Sequence, residues 1–73
     1  MRTTDLTAHL QRMYETAGSG DQVVMIHLFG VKFADELKGQ PLKDIARDAT
    51  GRESYQTEIR KGMNLARFVV PRA

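Results

Sequence analysis

The stretch Ser54–Gly62, SYQTEIRKG, gathers side chains suited to meeting a polyanion. Arg60 and Lys61 can reach phosphates or guanine edges, Gln56 can pair bidentately with adenine, and Ser54 and Thr57 can bond to bases or backbone. Arg52, just upstream, adds a further cation. Tyr55 and Ile59 are four apart, so on a helix they share one face and form its packing side. Glu53 and Glu58 oppose this reading, because a carboxylate repels phosphate unless it accepts from cytosine or orients a neighbouring arginine. The alternative is an amphipathic core helix with a solvated polar face, on which Arg60 and Lys61 pair with Glu58 or Glu53 for roughly a few tenths of a kcal/mol.

Other chemistries find less in the sequence. His9 and His27 are the only histidines, they fall on different expected helices, and neither has a partner at metal-ligand spacing. His9 is expected on the surface and His27 partly buried with its polar atoms satisfied. Asp35-Glu36 reads as a solvated pair near Lys32 and Lys38. Gly18-Ser19-Gly20-Asp21 lacks the lysine and the length of a phosphate-binding loop and reads as a helix break. Ser19 has no base that the sequence sets beside it. The chain is therefore not expected to be an enzyme, and no cofactor or metal is expected.

An all-α fold of four helices would position the basic stretch. The first covers about residues 5–16, with Leu6, Leu10, Met13 and Ala17 at helical spacing, a cap from Thr3 or Thr4, and Gly18-Ser19-Gly20 at its end. The second covers about 22–38, after Asp21 as N-cap. It is apolar over most of its circumference and is expected to be the central, most buried helix, with Ile26, Phe29, Phe33 and Leu37 as its stripe. Val23, Val24 and Ile26 also admit a strand, but the three-and-four spacing favours helix. Gly30 weakens that helix by about 1 kcal/mol against alanine and would let another helix approach closely. Gly39-Gln40-Pro41 ends it. The third helix, about 42–49, turns Leu42, Ile45, Ala46 and Ala49 inward, and Thr50-Gly51 is a turn. The fourth covers about 53–68, with Tyr55, Ile59, Met63 and Ala66 along one side and Leu65 beside them, and Pro71 prevents continuation. Met13, Met25 and Met63 fill core positions.

Seventy-three residues make a single domain with a thin core, and the absence of cysteine removes disulfides and zinc thiolates as supports. Well-packed helices or oligomerisation remain, so a homodimer is expected. The N-terminus shows no continuous apolar segment of a signal peptide, and Val23–Phe33 is too short and too interrupted to span a bilayer. A cytoplasmic protein is expected, nucleoid-associated when bound to DNA. The net charge of +2 is mild, but from Arg52 onward five bases, Arg72 included, face two acids, so that third carries +3 and the remainder −1. A polyanion is expected to dock at the C-terminal third.

A short helix, a glycine turn and a second helix over Leu42–Gly62 make a helix-turn-helix layout. Ala46 is small where the second helix crosses, and Ile59 locks that helix back onto the first. Taken with these features, MIHLFGVKFADELKG, LKDIARDA and above all SYQTEIRKGMNLARFV resemble small bacterial HTH-like-domain proteins. The resemblance covers most of the chain after Val23 and implies a helical DNA-binding fold of the kind taken for transcriptional regulators. Two positions depart from the common pattern. Thr50 stands where the turn glycine is usual, with Gly51 one place later, and Gln56 stands where a buried aliphatic is usual. Either the turn has another geometry, with Tyr55 and Ile59 as anchors, or the motif is degenerate.

The expected function is sequence-specific binding of double-stranded DNA by a small transcriptional regulator. Arg52, Ser54, Gln56, Thr57, Arg60 and Lys61 are its expected contacts. The alternative is a protein-interaction module, an adaptor or inhibitor on the same scaffold. Phe68, Val69 and Val70, an apolar run near the C-terminus, either fold back over the second helix or make a dimer or partner contact.

Overall fold

The computed structural model describes residues 1–71, and those residues form helices and turns with no strand. Arg72, counted in the C-terminal charge, lies outside them. Five α-helices follow in order: α1 (Thr3–Thr16), α2 (Gln22–Lys32), α3 (Ala34–Leu37), α4 (Leu42–Thr50) and α5 (Gln56–Leu65). A 3-10 turn, Glu53–Tyr55, leads into α5.

α1 begins earlier than the sequence implies, and neither Thr3 nor Thr4 caps it. Arg2 is the N-cap, in extended conformation, and its amide donates to the Asp5 carboxylate at 3.2 Å. The acidic side chain reaches back to the free amide, as in one half of a capping box. The Thr3 hydroxyl goes instead to Gln40, tying α1 to the loop before α4. Leu6 and Leu10 are fully buried.

The second expected helix is interrupted at Phe33 (φ −112°, ψ 25°), which ends α2 and starts α3. The hydrogen bonds run past this point: the Phe33 amide donates to Phe29 O at 3.0 Å and the Leu37 amide to Phe33 O at 2.9 Å. The stripe Ile26, Phe29, Phe33 and Leu37 is therefore buried throughout, as its spacing predicts. The Phe33 ring lies 5.4 Å from Phe29 and 4.9 Å from His9. These contacts draw His9 into a half-buried position rather than the exposed one expected, with the Arg12 guanidinium 3.2 Å from its Nδ1. α2 also buries only one side. Val23 and Val24 are 37% and 55% exposed, so it is not the all-round buried helix its composition implies.

α1 packs on α4, and α2 packs on α5. The second contact is backbone on backbone, at Gly30 and Gly62. A Cβ built on either glycine would lie 2.9 Å from the Cα of the other, and closer still to a carbonyl oxygen of the facing helix. The close approach expected of Gly30 is thus real, and Gly62 is its counterpart. Leu42, Ile45, Ala46 and Ala49 turn inward from α4 as their spacing predicts, and Ile59 from α5 is fully buried against them in the same core.

α5 ends at Leu65, short of the expected Phe68. A turn continues the chain, with the amides of Phe68 and Val69 both bonded to Leu65 O at 2.9 and 3.1 Å. Ala66 and Val69 face Val31 and Ala34 across a shallow hollow, so the tail does return toward α2 and α3. Phe68 and Val70 stay 76% and 89% exposed.

Candidate nucleic-acid interface

α4, the turn and α5 form the helix-turn-helix unit. Gly51 holds the turn with φ +82°, a left-handed conformation that suits glycine, and its amide bonds to Arg47 O at 2.8 Å. Thr50, in the usual glycine position, has a different task. Its hydroxyl donates to Ala46 O at 2.7 Å and accepts from the Arg52 amide at 3.2 Å, closing the turn on itself. Tyr55 and Ile59 then anchor the second helix, which settles the alternative left open by the sequence in favour of a modified turn. The Tyr55 ring packs 6.1 Å from Tyr14 of α1, and the Arg52 guanidinium sits over it at 5.9 Å. Burial, reinforced by Tyr55 beside it, pushes the Tyr14 phenol up from its ordinary value. Gln56, where an aliphatic is usual, is half-buried.

The six expected contact residues divide on this frame. Arg52, Ser54, Thr57, Arg60 and Lys61 are exposed. The Thr57 hydroxyl donates to Ser54 O at 2.6 Å, so its oxygen can still accept a hydrogen bond. Thr57 and Arg60 are three apart and share one strip of α5, which Asn64 continues one turn further on. Asn64 is exposed, and its offset of four from Arg60 is the signal that the sequence holds for it.

Lys61 lies on another side. Its ammonium is 3.3 Å from Glu58, whose other oxygen accepts from His27 Nε2 at 2.8 Å. Glu58 is thereby turned toward α2, away from the strip of Thr57 and Arg60. The His27 hydrogen bond, with Lys61 as a smaller contributor, holds its carboxyl below the ordinary carboxylate value despite partial burial. The pairing of Lys61 with Glu58 is the bland role considered for it in the sequence, and Arg60 makes no ion pair among the described residues. His27, as expected, is partly buried and satisfied.

Across Leu42–Gly62 five basic residues face four acids, a net charge of +1. On α4, Arg47 is held at 3.2 Å by both Asp48 and Asp44, and the hydrogen bond to Asp48 above all strengthens its hold on its proton. The free positive charge of the unit is thus concentrated at Arg52 and Arg60, with Lys43 at the start of α4. Among the described residues no cluster of His, Asp or Glu could hold a metal ion, and no helix is long and apolar enough to cross a membrane.

No curated protein and no solved structure shows significant similarity to this sequence. Residues 2–72, nearly the whole chain, match the family described as an HTH-like domain. A helix-turn-helix is an architecture of nucleic-acid binding, and with the α4–Gly51–α5 geometry in place the chain belongs to the HTH-like domain family.

Proposed function

We propose that the chain binds double-stranded DNA sequence-specifically, as a small transcriptional regulator acting in pairs, with α5 in the major groove. The observation that carries this reading is the division of charge on α5. Glu58, the one acid inside α5, is turned to His27 and Lys61, while Thr57 and Arg60 are exposed, and Glu53 in the turn before the helix is the acid that remains on their approach. Arg52 and Lys61 supply phosphate contacts from the two flanks, and Ser54, Gln56 and Thr57 stand at the start of the helix, where recognition helices touch base edges. A net charge of +1 over the unit gives one copy a weak electrostatic grip, so two copies on half-sites roughly 34 Å apart suit it better than one.

Selection from a randomised duplex pool tests the specificity. Enrichment of a two-part site with that spacing, and relaxed preference at one position in Arg60→Ala, is the expected result. A pool that never converges would leave only non-specific binding.

The second reading is a protein-interaction module, and a specific observation favours it: Leu65 and Phe68 are 45% and 76% exposed. Binding to a protein partner that survives the double change of Arg60 and Lys61 to alanine but is lost in Phe68→Ala would establish it.

A further inference from the structure

His27, Lys61, Asn64, Leu65 and Phe68 line an open trough of about 380 Å3 between α2 and the C-terminal end of α5. Val24, one turn before His27 on the same face of α2, is 55% exposed. We propose that a second copy of the chain docks here, in a two-fold contact in which Phe68 of each copy enters the trough of the other.

The lining chemistry favours an apolar side chain over a polar ligand. His27 Nε2 and one N–H of the Lys61 ammonium are taken by Glu58, and the surface that lines the trough is mostly apolar. A polar small molecule would find little to orient it. An aromatic ring needs only the apolar walls, and an exposed aromatic seated in a pocket is the usual anchor of an interface.

The patch also carries both halves of its own fit. A two-fold contact uses one surface twice, so that surface must supply projection and hollow together. Phe68, 76% exposed at the rim, is the projection, and the trough beside it is the hollow. A two-fold axis brings like charges toward each other, which normally disfavours self-association. Here the charges nearest the trough are a paired Glu58 and Lys61, which cancel, and Arg67, over the Phe68 ring at 5.2 Å, stays solvated at the rim.

Size sets the strength. Phe68, Leu65 and Val24 together remove on the order of a few hundred Å2 of surface per copy, short of the roughly 800 Å2 per partner of a stable complex. The contact is therefore weak in free solution. Its role in pairing copies on adjacent half-sites rests on the DNA reading above, where the duplex raises the effective concentration of one copy beside the other.

The test omits DNA, so its outcome is independent of that reading. In sedimentation equilibrium from about 10 µM to about 1 mM chain, the mass should rise from one chain toward two. Phe68→Ser and Val24→Asp should each raise the midpoint concentration about tenfold or more. Val70→Ser, at a residue 89% exposed but outside the trough, should leave it unchanged. On dilution of the unsubstituted chain, amide shifts should move at Val24, Leu65 and Phe68, a readout that needs no variant to fold. A single-chain mass throughout, self-association weakened equally by Val70→Ser, or saturable filling of the trough by a small apolar probe without self-association would each overturn the proposal.

Discussion

α4 and α5 carry charge in similar density on their outer faces but deploy it differently. On α4, Asp44 and Asp48 both hold Arg47, so that face is close to neutral from end to end. On α5, the one acid inside the helix is drawn aside by His27 and Lys61, and Arg60 makes no ion pair among the described residues. The two helices are also seated differently. α4 rests on ordinary side-chain packing through Ile45, Ala46 and Ala49, whereas α5 is pressed backbone to backbone against α2 at Gly62 and Gly30. A near-neutral helix on conventional packing serves as scaffold. A helix held rigidly by its backbone, with a cation facing outward, can present side chains in a fixed register.

The largest effect should come from the seat of α5. Gly62→Ala places a methyl group against the His27 carbonyl and the Gly30 Cα, neither of which can move as a flexible side chain does. The expected loss of about 2–3 kcal/mol outweighs the helix propensity of alanine. Thermal melts should fall by at least about 8 °C, given about 4–8 °C per kcal/mol for a domain this size. An unchanged melt would mean that the two helices are not in backbone contact.

Next in size is the outward strip. Arg60→Ala should weaken binding to duplex DNA and reduce the slope of log K against log salt by about 0.9, the share of one phosphate contact. Alanine at both Arg60 and Lys61 should lower it by up to about twice that. An unaltered slope would remove these residues from the interface and erase the contrast with α4.

Glu58→Gln should move DNA binding the opposite way. It removes the negative charge from α5 and frees Lys61, so affinity at low salt should rise. The same variant has a signature in acid. Because the folded-state carboxyl titrates below its ordinary value of 4.5, its contribution to stability is complete above that value and is lost as pH falls through the lower folded-state value. Urea unfolding followed through this acid range should decline less steeply in Glu58→Gln than in the unsubstituted chain.

The smallest effect belongs to α4. Arg47→Ala breaks two exposed ion pairs and should leave the urea and thermal midpoints essentially unchanged. DNA affinity should stay within about twofold, since that arginine is already neutralised by its neighbours. A loss comparable with that of Arg60→Ala would show that α4 faces the duplex as well.

What the sequence made legible follows from the range of each interaction. Local spacing was enough for the inward faces: Leu42, Ile45, Ala46 and Ala49 on α4, and Ile26, Phe29, Phe33 and Leu37 across α2 and α3, are all buried where their periodicity places them. The all-α class and the helix-turn-helix followed from those faces and from Gly51. The break at Phe33 was not legible, because no glycine or proline marks it and its ring is held by residues of two helices. At the candidate interface, Lys61 with Glu58 was foreseeable at a separation of three, but His27 with Glu58 joins residues 31 apart. That distant contact decides which way Glu58 points, and so separates Arg60 from Lys61, which in the sequence look like one basic pair. Gly62 was invisible for the same reason: its purpose lies in the backbone of α2.

Whether α5 meets phosphate is decided most directly by fluorescence anisotropy on a labelled random-sequence duplex, titrated at several salt concentrations. Contacts from Arg52, Arg60 and Lys61 predict binding that weakens with salt, with a slope of about −2 to −3 per bound copy. No binding at the lowest salt, or binding indifferent to salt, would contradict the assignment of this face to DNA.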